Sequence, residues 1–475
     1  MNKSKGLIKN TLILGFGKLV AQVSSFALLP VYTLFLSPGE LGFVDLIISY
    51  MGLIAPLLII QLDRGAFRYL IEARTGKKNG SKTVISSALS IVIPVLALAL
   101  FIYGVLAWSL GIPHAVLIAV SGVAIVFSTL ALQFARGLGR NDLFAQGSIA
   151  LGVVNLVVTA VLLVWFSLGI EGVLYGFAAS HIATALFVHI RLRLSSYISL
   201  KRPYIDRVMQ KELIAFSWPL VPSAASWWFI RTFDRTLITV IAGVAANGAY
   251  AVANKYSMIF TALYAIFDMS WTESASEHIN SKDRDKFFSG VYNTSFKFFT
   301  ALAIGLIAIT PFIFDVFIGS NFSEAKYYIP ILIAGGFLNA IVAQYSVVYI
   351  AKKMTKEVLV TSISTAVISV ILNVIFINAI GAMGAALALV LSFLVMAIWR
   401  HFDIKKYVTI TFERLLFTKI IMLFAIVISL YYIDDLYINT ICLILTTIIA
   451  YLLSRSVIAA SLGSVIGKLR SIAKR

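Results

Sequence analysis

The sequence predicts an all-α polytopic membrane protein with about fourteen transmembrane helices. Of the 475 residues, 60% are hydrophobic and 13% are charged, whereas about a quarter of the residues in soluble domains are charged. Apolar runs long enough to cross a bilayer recur along nearly the whole chain. The loops between these runs alternate between basic and nearly uncharged.

The predicted spans follow from the apolar runs in chain order. They cover residues 11–36, 41–62, 83–110, 114–135, 143–167, 170–190, 213–242, 248–271, 293–314, 328–350, 357–377, 383–399, 415–433 and 437–454. The first follows a basic N-terminus that resembles a signal peptide. Because its apolar run is about 25 residues long and lacks a small-x-small cleavage site, we expect it to remain as a span.

The basic residues mark one side of the membrane. Nearly all of the 39 Lys and Arg residues lie in the two termini and in alternate loops, and the opposite set of loops carries only Lys326. The positive-inside rule therefore predicts that both termini are cytoplasmic. Because topology and anionic headgroups account for the net charge of +18, that charge does not indicate a nucleic-acid partner.

The chain contains an internal repeat. A shift of 206 residues places Gly42 on Gly248 within the same order of long span, tight turn and second span, and residues 153–180 resemble residues 371–392. Six spans followed by six similar spans predict two lobes related by a pseudo-two-fold axis along the membrane normal. The predicted organisation is an N-lobe over 1–192, a cytoplasmic linker over 193–212, a C-lobe over 213–400, and an appended helix pair with a basic cytoplasmic tail over 401–475.

Several kinds of chemistry are missing from the sequence. Its one cysteine, Cys442, can form no internal disulfide, and there is no Cys- or His-based metal motif. The stretch GFGKL at 15–19 has neither the spacing nor the Ser/Thr of a Walker loop. Because the outer loops are too short for a catalytic domain, the sequence favours a transporter without a resident cofactor over an enzyme.

One predicted span carries three charges within five residues. The stretch WWFIRTFDRTLITV (227–240) contains Arg231, Asp234 and Arg235, and a charge at bilayer depth costs roughly 3 kcal/mol or more. At 100° per residue, one helix face would carry Ala224, Trp227, Trp228, Arg231, Asp234, Arg235 and Ile238. We expect such a face to line a water-filled cavity or an interhelix contact rather than to meet lipid.

Four cations within the spans predict a path for an anion. Arg235 and Lys255 are expected at similar depth on adjacent helices, with Arg231 nearer the middle of the membrane and Lys18 nearer the cytoplasm. Arg suits phosphate oxygens, and Trp227 and Trp228 offer faces for sugar rings. The alternatives are a structural Arg–Asp–Arg network, in which Asp234 bridges to an Arg, and snorkelling of Lys18 to the headgroups.

Weaker polar positions have mainly structural interpretations. Asp45 is expected to be solvated near the outer turn, and His181 to be a hydrogen-bonded packing residue. Interhelical hydrogen bonds are expected for Gln133, Asn155, Gln344 and Asn373. Asn373 has a second interpretation, as a Na⁺ site together with Asp234.

Two prolines interrupt the seventh predicted span. Pro219 and Pro222 remove backbone hydrogen bonds and should bend it, as a hinge between lobes or as a static kink.

The run FSWPLVPSAASWWFIRTFDRTLITVIAGVAANGAYAVANKYS (216–257) resembles the start of the second lobe in bacterial polysaccharide flippases. These O-antigen and exopolysaccharide transporters belong to the multidrug/oligosaccharidyl-lipid/polysaccharide exporter superfamily. The matching features are Pro-Leu-x-Pro at 219–222, Ser-x-Trp at 226–228, Asp-Arg at 234–235 and Gly-x-Tyr at 248–250. LQFARGLGRNDLFAQGS (132–148) and NAIGAMGAALALVLS (378–392) are also similar to the family.

The resemblance implies a flippase of the bacterial inner membrane. It would move an undecaprenyl-diphosphate-linked oligosaccharide to the outer leaflet by alternating access, coupled to a Na⁺ or H⁺ gradient and working beside the polysaccharide polymerase machinery. The resemblance assigns Lys18, Arg231, Arg235 and Lys255 to the substrate. It also places Asp234 and Asn373 at positions like the cation ligands of related lipid II flippases, while Ile377 and Asn378 stand where a second acid is expected.

Three alternative functions stay open at this stage. A multidrug exporter of the same fold would be expected to have an acidic cavity, whereas this chain has four cations in its spans. The fourteen predicted spans match the lipid II flippase branch, although the motif at 216–257 favours the polysaccharide branch. The third alternative is an intramembrane glycosyltransferase or ligase, which would form product when the purified protein is mixed with lipid-linked substrate in detergent.

Overall fold

The computed structural model describes residues 17, 20, 22–74, 80–199, 201–352, 354–413 and 415–472. Within these residues the secondary structure is entirely helical, with two short 3₁₀ turns and no strand. The chain divides into two compact units, Met1–Ala251 and Val252–Arg475. The predicted all-α fold class is therefore confirmed.

The first unit contains ten helices and the start of an eleventh within its described residues. They are α1 Gln22–Phe35, α2 Pro38–Leu58, α3 Leu62–Arg74, α4 Ser81–Leu110, α5 Ala115–Gly137, α6 Asn141–Val164, α7 Gly169–Leu192, α8 Arg207–Ser217, α9 Leu220–Arg231, α10 Phe233–Ile241 and α11 Val244–His278. The last of these runs on into the second unit.

The second unit continues with six more helices. They are α12 Arg284–Phe317, α13 Ala325–Ala351, α14 Thr355–Ile380, α15 Ala382–Ile404, α16 Leu416–Ile433 and α17 Leu436–Ile472. The appended pair α16 and α17 packs against α12. The predicted lobe boundary at residue 213 is not the division between the two compact units, and the predicted domain organisation stays a prediction.

Twelve helical segments among the described residues are long and apolar enough to cross a membrane; eleven of them are single helices, and one, Arg207–Arg231, consists of α8 and α9 together. They correspond to predicted spans 2–7 and 9–14, so the protein is a multi-pass membrane protein. Helix α1 is a shorter apolar helix, and residues 11–16, 18, 19 and 21 of the predicted first span lie outside the described residues. Helix α11 coincides with predicted span 8 but carries several charged residues, among them Lys255 and Asp268.

Local chemistry explains where the helices begin and turn. At the start of α2, the backbone N–H of Glu40 donates to Ser37 Oγ at 3.3 Å and that of Ser37 donates to Glu40 Oε2 at 2.8 Å, which is a capping box. The turn into α15 needs Gly381, whose φ is +61°, and a Cβ on Gly384 would collide with the backbone of Phe376.

The seventh predicted span is not one continuous helix. Trp218 and Pro219 separate α8 from α9, and Thr232, with φ −141° and ψ −23°, separates α9 from α10. Pro219 lacks the N–H that would continue the hydrogen-bond ladder. Beyond the second break, the carboxylate of Asp234 accepts the backbone N–H of Arg235 at 2.9 Å, a local bond that competes with helix propagation. The prediction of one helix over 213–242 is therefore wrong.

Candidate functional site

The break at Thr232 separates the residues that the sequence placed on one helix face. Arg231, at the end of α9, is exposed, whereas Asp234 and Ile238 on α10 are buried at 3% and 0% exposure. The 100° periodicity holds only within a continuous helix, so it cannot relate residues across the break. Arg231 and Asp234 consequently lie in different surroundings.

Arg235 forms an ion pair with a residue that the sequence analysis had left in solvent. Its Nε atom lies 2.7 Å from Oδ2 of Asp45 on α2, and the two side chains are 13% and 11% exposed. The expectation that Asp45 is solvated is therefore wrong. In the alternative of a structural network, Asp234 would bridge to an Arg, whereas the ion-pair partner of Arg235 is Asp45.

Asp234 is held by hydrogen bonds from α10 and α11. The hydroxyl of Tyr250 donates to its Oδ2 at 2.6 Å, and the backbone N–H of Arg235 donates to its Oδ1 at 2.9 Å. Two carboxylates, Asp45 and Asp234, lie close to the one guanidinium of Arg235. This group therefore does not have the excess of positive charge that the sequence suggested. The arrangement is that of a buried polar network that joins three helices.

The two tryptophans have different roles in the packing. Trp228 Nε1 donates to the carbonyl of Ser49 on α2 at 2.8 Å, and its ring lies 5.6 Å from that of Tyr50. Trp227 is stacked under Arg231, whose Cζ lies 4.8 Å from the ring centroid. One turn separates Trp227 from Arg231, which brings both side chains to the same side of α9. Trp228 is therefore tied to α2, and the partly buried Trp227 forms a cation–π pair with the exposed Arg231.

The remaining predicted cations lie elsewhere or are not described. Lys255 is half-buried on the part of α11 that belongs to the second unit. Lys18 lies outside the described residues. The predicted cation ladder, and the assignment of its members to a substrate, therefore stay predictions.

Asn373 has one feature that suits a cation. It is 3% exposed, and its Nδ2 donates to the carbonyl of Ser369 at 2.8 Å, but its buried Oδ1 has no hydrogen-bond partner. A carbonyl oxygen without a donor fits a hard cation such as Na⁺. Both oxygens of Asp234 already accept hydrogen bonds, and the two residues belong to different units, so a shared Na⁺ site stays a prediction.

The two prolines take different positions at the first break. Pro219 stands between α8 and α9, and Pro222 lies in the first turn of α9, where a missing N–H costs little. The interruption is where the sequence placed the bend, and a hinge motion there stays a prediction.

One arginine that the sequence did not single out is buried. Arg400 on α15 was grouped with a cytoplasmic loop, yet its exposure is 0%. Its Nε and Nη2 donate to Thr361 Oγ1 at 3.1 and 2.8 Å, Nη2 also reaches Ser362 Oγ at 3.4 Å, and Nη1 donates to Ser346 Oγ and to the carbonyl of Val342. The guanidinium thus joins α13, α14 and α15 through neutral acceptors. The sequence signal was that Arg400 directly follows an apolar run.

Two of the weaker predictions can be compared with contacts. His181 lies 2.7 Å from the hydroxyl of Ser128, between α7 and α5, which confirms a hydrogen-bonded packing histidine. Ser295 on α12 donates to Gln344 Oε1 on α13 at 2.8 Å, which confirms an interhelical bond. The contacts of Asn155 and Asn373, in contrast, are with Thr159 and Ser369 on their own helices.

The first unit also contains an apolar cavity of about 340 Å³ between α2, α4 and α5. Met51, Leu96 and Tyr103 are among its walls, and almost all of its surface is hydrocarbon. Such a cavity cannot recognise a charged headgroup, and it is separate from the polar network around Arg235.

The fold is shared with transporters of the MOP superfamily. A multidrug resistance MATE family transporter in an inward-facing conformation is 18% identical, with a TM-score of 0.64 over 82% of this chain and 95% of the other. The lipid II flippase MurJ, in an inward closed conformation, is 16% identical, with a TM-score of 0.65 over 96% of this chain and 99% of the other. A MOP superfamily transporter from Pyrococcus furiosus is 17% identical, with a TM-score of 0.59 over 85% and 96%.

The family follows from a sequence match. The profile described as polysaccharide biosynthesis protein matches residues 7–272, which is more than half of the chain. Comparison with curated proteins gave no match. The chain belongs to the polysaccharide biosynthesis protein family, and the resemblance found from residues 216–257 is confirmed.

Proposed function

We propose that this protein is a flippase for an undecaprenyl-diphosphate-linked oligosaccharide. It would carry the substrate from the inner to the outer leaflet of the bacterial cytoplasmic membrane by alternating access, with both termini cytoplasmic and without catalysing a covalent step. A Na⁺ or H⁺ gradient would drive the cycle. Family membership and the fold support this proposal at the level of a membrane transporter for polysaccharide synthesis.

The observation that carries the substrate class is the cation–π pair of the exposed Arg231 and the partly buried Trp227. A diphosphate that crosses about 30 Å of hydrocarbon needs cations along its path, because an unpaired anion is expensive there. The guanidinium supplies donors for phosphate oxygens, and the indole supplies an apolar face for a sugar ring.

An export experiment in the native host tests this proposal. We expect Arg231→Ala to leave the lipid-linked oligosaccharide on the inner leaflet and to abolish surface polysaccharide at matched protein level. Arg231→Lys should restore only part of the export, since the planar fork is lost. The control is Arg140→Ala, which removes an exposed arginine paired with Asp142. Normal export by Arg231→Ala would refute the assignment of Arg231 to the substrate.

A second function is favoured by one specific observation. The similarity to the lipid II flippase extends over 96% of this chain, so it includes α16 and α17. A lipid II flippase would also carry an undecaprenyl diphosphate. Complementation separates the two functions. If this protein restores growth to a strain depleted of its lipid II flippase, and its deletion leaves surface polysaccharide in the native host unchanged, lipid II is favoured as the substrate.

A further inference from the structure

Helices α2 and α11 cross at two glycines. A Cβ on Gly42 would collide with the carbonyl of Val244 and lie 2.9 Å from the backbone N of Gly248, and a Cβ on Gly248 would collide with the carbonyl of Pro38. The buried side chain of Asn247 donates from Nδ2 to the carbonyl of Gly42 at 2.9 Å. Only glycine allows this approach on both helices.

The two glycines occupy equivalent positions in the internal repeat. The shift of 206 residues that relates the repeats places Gly42 on Gly248. Each glycine therefore comes from the start of the second span of its own repeat, and each packs on the helix that carries the other. This mutual contact joins the two repeats at the end of the spans opposite the basic loops.

Polar contacts continue from the crossing along one face of α2. Asp45 and Ser49 follow Gly42 by three and seven positions, which places them on the same helix face. Asp45 pairs with Arg235, and the carbonyl of Ser49 accepts the bond from Trp228. Further along α2, Thr236 Oγ1 donates to the hydroxyl of Tyr50 at 3.1 Å. Helix α2 is thus held by α9, α10 and α11 through an ion pair and hydrogen bonds.

These contacts are of a kind that can separate and re-form. Backbone-to-backbone packing at glycines involves no interdigitated side chains that would have to unlock, and ion pairs and hydrogen bonds can exchange with water. The helices that pack on α2 are also interrupted at two places where they can bend. Pro219 separates α8 from α9, and Thr232 separates α9 from α10. Helix α8, before the first break, packs instead against α3, where Gly65 lies against Ser217.

We infer that the crossing of α2 on α9–α11, locked by the Asp45–Arg235 ion pair, is a latch that closes the outer end of the transport path. This inference rests on the proposed alternating-access function. It makes Arg235 a gating residue rather than a substrate ligand. It also explains why a charged pair persists within a span: the pair stabilises the closed state but is not part of a permanent apolar core.

Cysteine accessibility in nanodiscs tests the latch. Cys442→Ser gives a cysteine-free chain, and Ser49→Cys then places a nearly isosteric probe on the crossing face of α2. A water-soluble maleimide is the reagent, and nanodiscs expose both membrane faces, so the result does not depend on topology. We expect slow labelling in the parent and about tenfold faster labelling after Asp45→Asn or Arg235→Gln, because the open state gains population.

Two further variants distinguish loss of the latch from misfolding and from a general effect of removing an ion pair. The exchanged pair Asp45→Arg with Arg235→Asp should slow labelling towards the parent rate, which a merely misfolded chain would not do. Arg140→Gln removes an exposed ion pair away from the crossing and should leave the rate unchanged. Unchanged labelling in both single variants, or no recovery in the exchanged pair, would overturn the latch. Loss of export by Arg231→Ala in that case would leave the proposed flippase function standing.

Discussion

Arg400 provides a sharp test of how a buried cation contributes to stability. Its guanidinium directs five N–H groups at hydroxyl and carbonyl oxygens, and within the described residues no carboxylate is paired with it. Hydrogen bonds from a charged group contribute about 1.5 kcal/mol each at the low end, or about 7.5 kcal/mol in total. Removing a cation from water costs several kcal/mol, so the net contribution is close to zero.

The acceptors of Arg400 would tolerate its removal. Thr361, Ser362 and Ser346 each donate their own hydroxyl to a carbonyl of their helix, at 2.9, 2.7 and 2.8 Å. A methionine at position 400 would therefore leave no donor unsatisfied and would fill most of the volume. We expect Arg400→Met to change the free energy of unfolding by no more than about 1 kcal/mol. Arg400→Ala should lose about 3 kcal/mol or more through the cavity.

The single cysteine gives a direct assay for this pair of variants. Cys442 is 3% exposed on α17, so a thiol-reactive fluorophore reports unfolding of the second unit. At about 2–4 °C per kcal/mol, Arg400→Met should unfold within about 4 °C of wild type, and Arg400→Ala at least about 6 °C lower. A loss of more than about 10 °C in Arg400→Met would show that the charge itself is essential, and the reasoning would be refuted.

Three further outcomes are expected. Gly248→Ala should separate α2 from α11 and so speed the maleimide labelling of a cysteine at position 49. Gly80→Ala is the control and should have no effect, because the space around Gly80 is open. Asp63, which is 7% exposed in α3 outside the candidate spans, has a pKa that burial raises against the opposing effect of Arg64. A raised pKa means that the native state holds the proton more tightly, so stability falls as pH rises from the unfolded value through the folded one. Asp63→Asn should therefore raise the unfolding temperature, measured by tryptophan fluorescence, at pH 7 and should change it less near pH 4. Equal changes at the two pH values would contradict this reasoning. Dissipating the ion gradients should stop export, and continued export would remove the coupling.

The sequence predicted most of the helices because hydrocarbon demands long apolar segments whatever their neighbours are. Twelve of the fourteen predicted spans coincide with helical segments that can cross a membrane, and one of these segments is interrupted between α8 and α9. The turn at Gly381 falls between the predicted spans 357–377 and 383–399, and its positive φ is one that glycine adopts readily. These features depend on local chemistry alone.

The contacts of the site were less predictable. Asp45 pairs with a residue 190 positions away in the sequence, and nothing local in α2 reveals that partner. The relation of Arg231 to Asp234 was misjudged because a break at Thr232 leaves no mark in the hydrophobic pattern. Arg400 looked like a loop residue because its partners are hydroxyls, which a count of charges ignores. The repeat placed Gly42 on Gly248 and predicted two lobes, but it did not predict that the two glycines touch.

The central claim is that the protein moves a diphosphate-linked oligosaccharide between leaflets, and reconstitution tests it most directly. The purified protein would be placed in liposomes that contain a fluorescent undecaprenyl-diphosphate-linked oligosaccharide, and a membrane-impermeant reductant would quench the outer leaflet under an imposed ion gradient. The account predicts nearly complete quenching with wild type and quenching of only the outer leaflet with Arg231→Ala or in protein-free vesicles. Outer-leaflet quenching alone with folded wild-type protein under both Na⁺ and H⁺ gradients would contradict it.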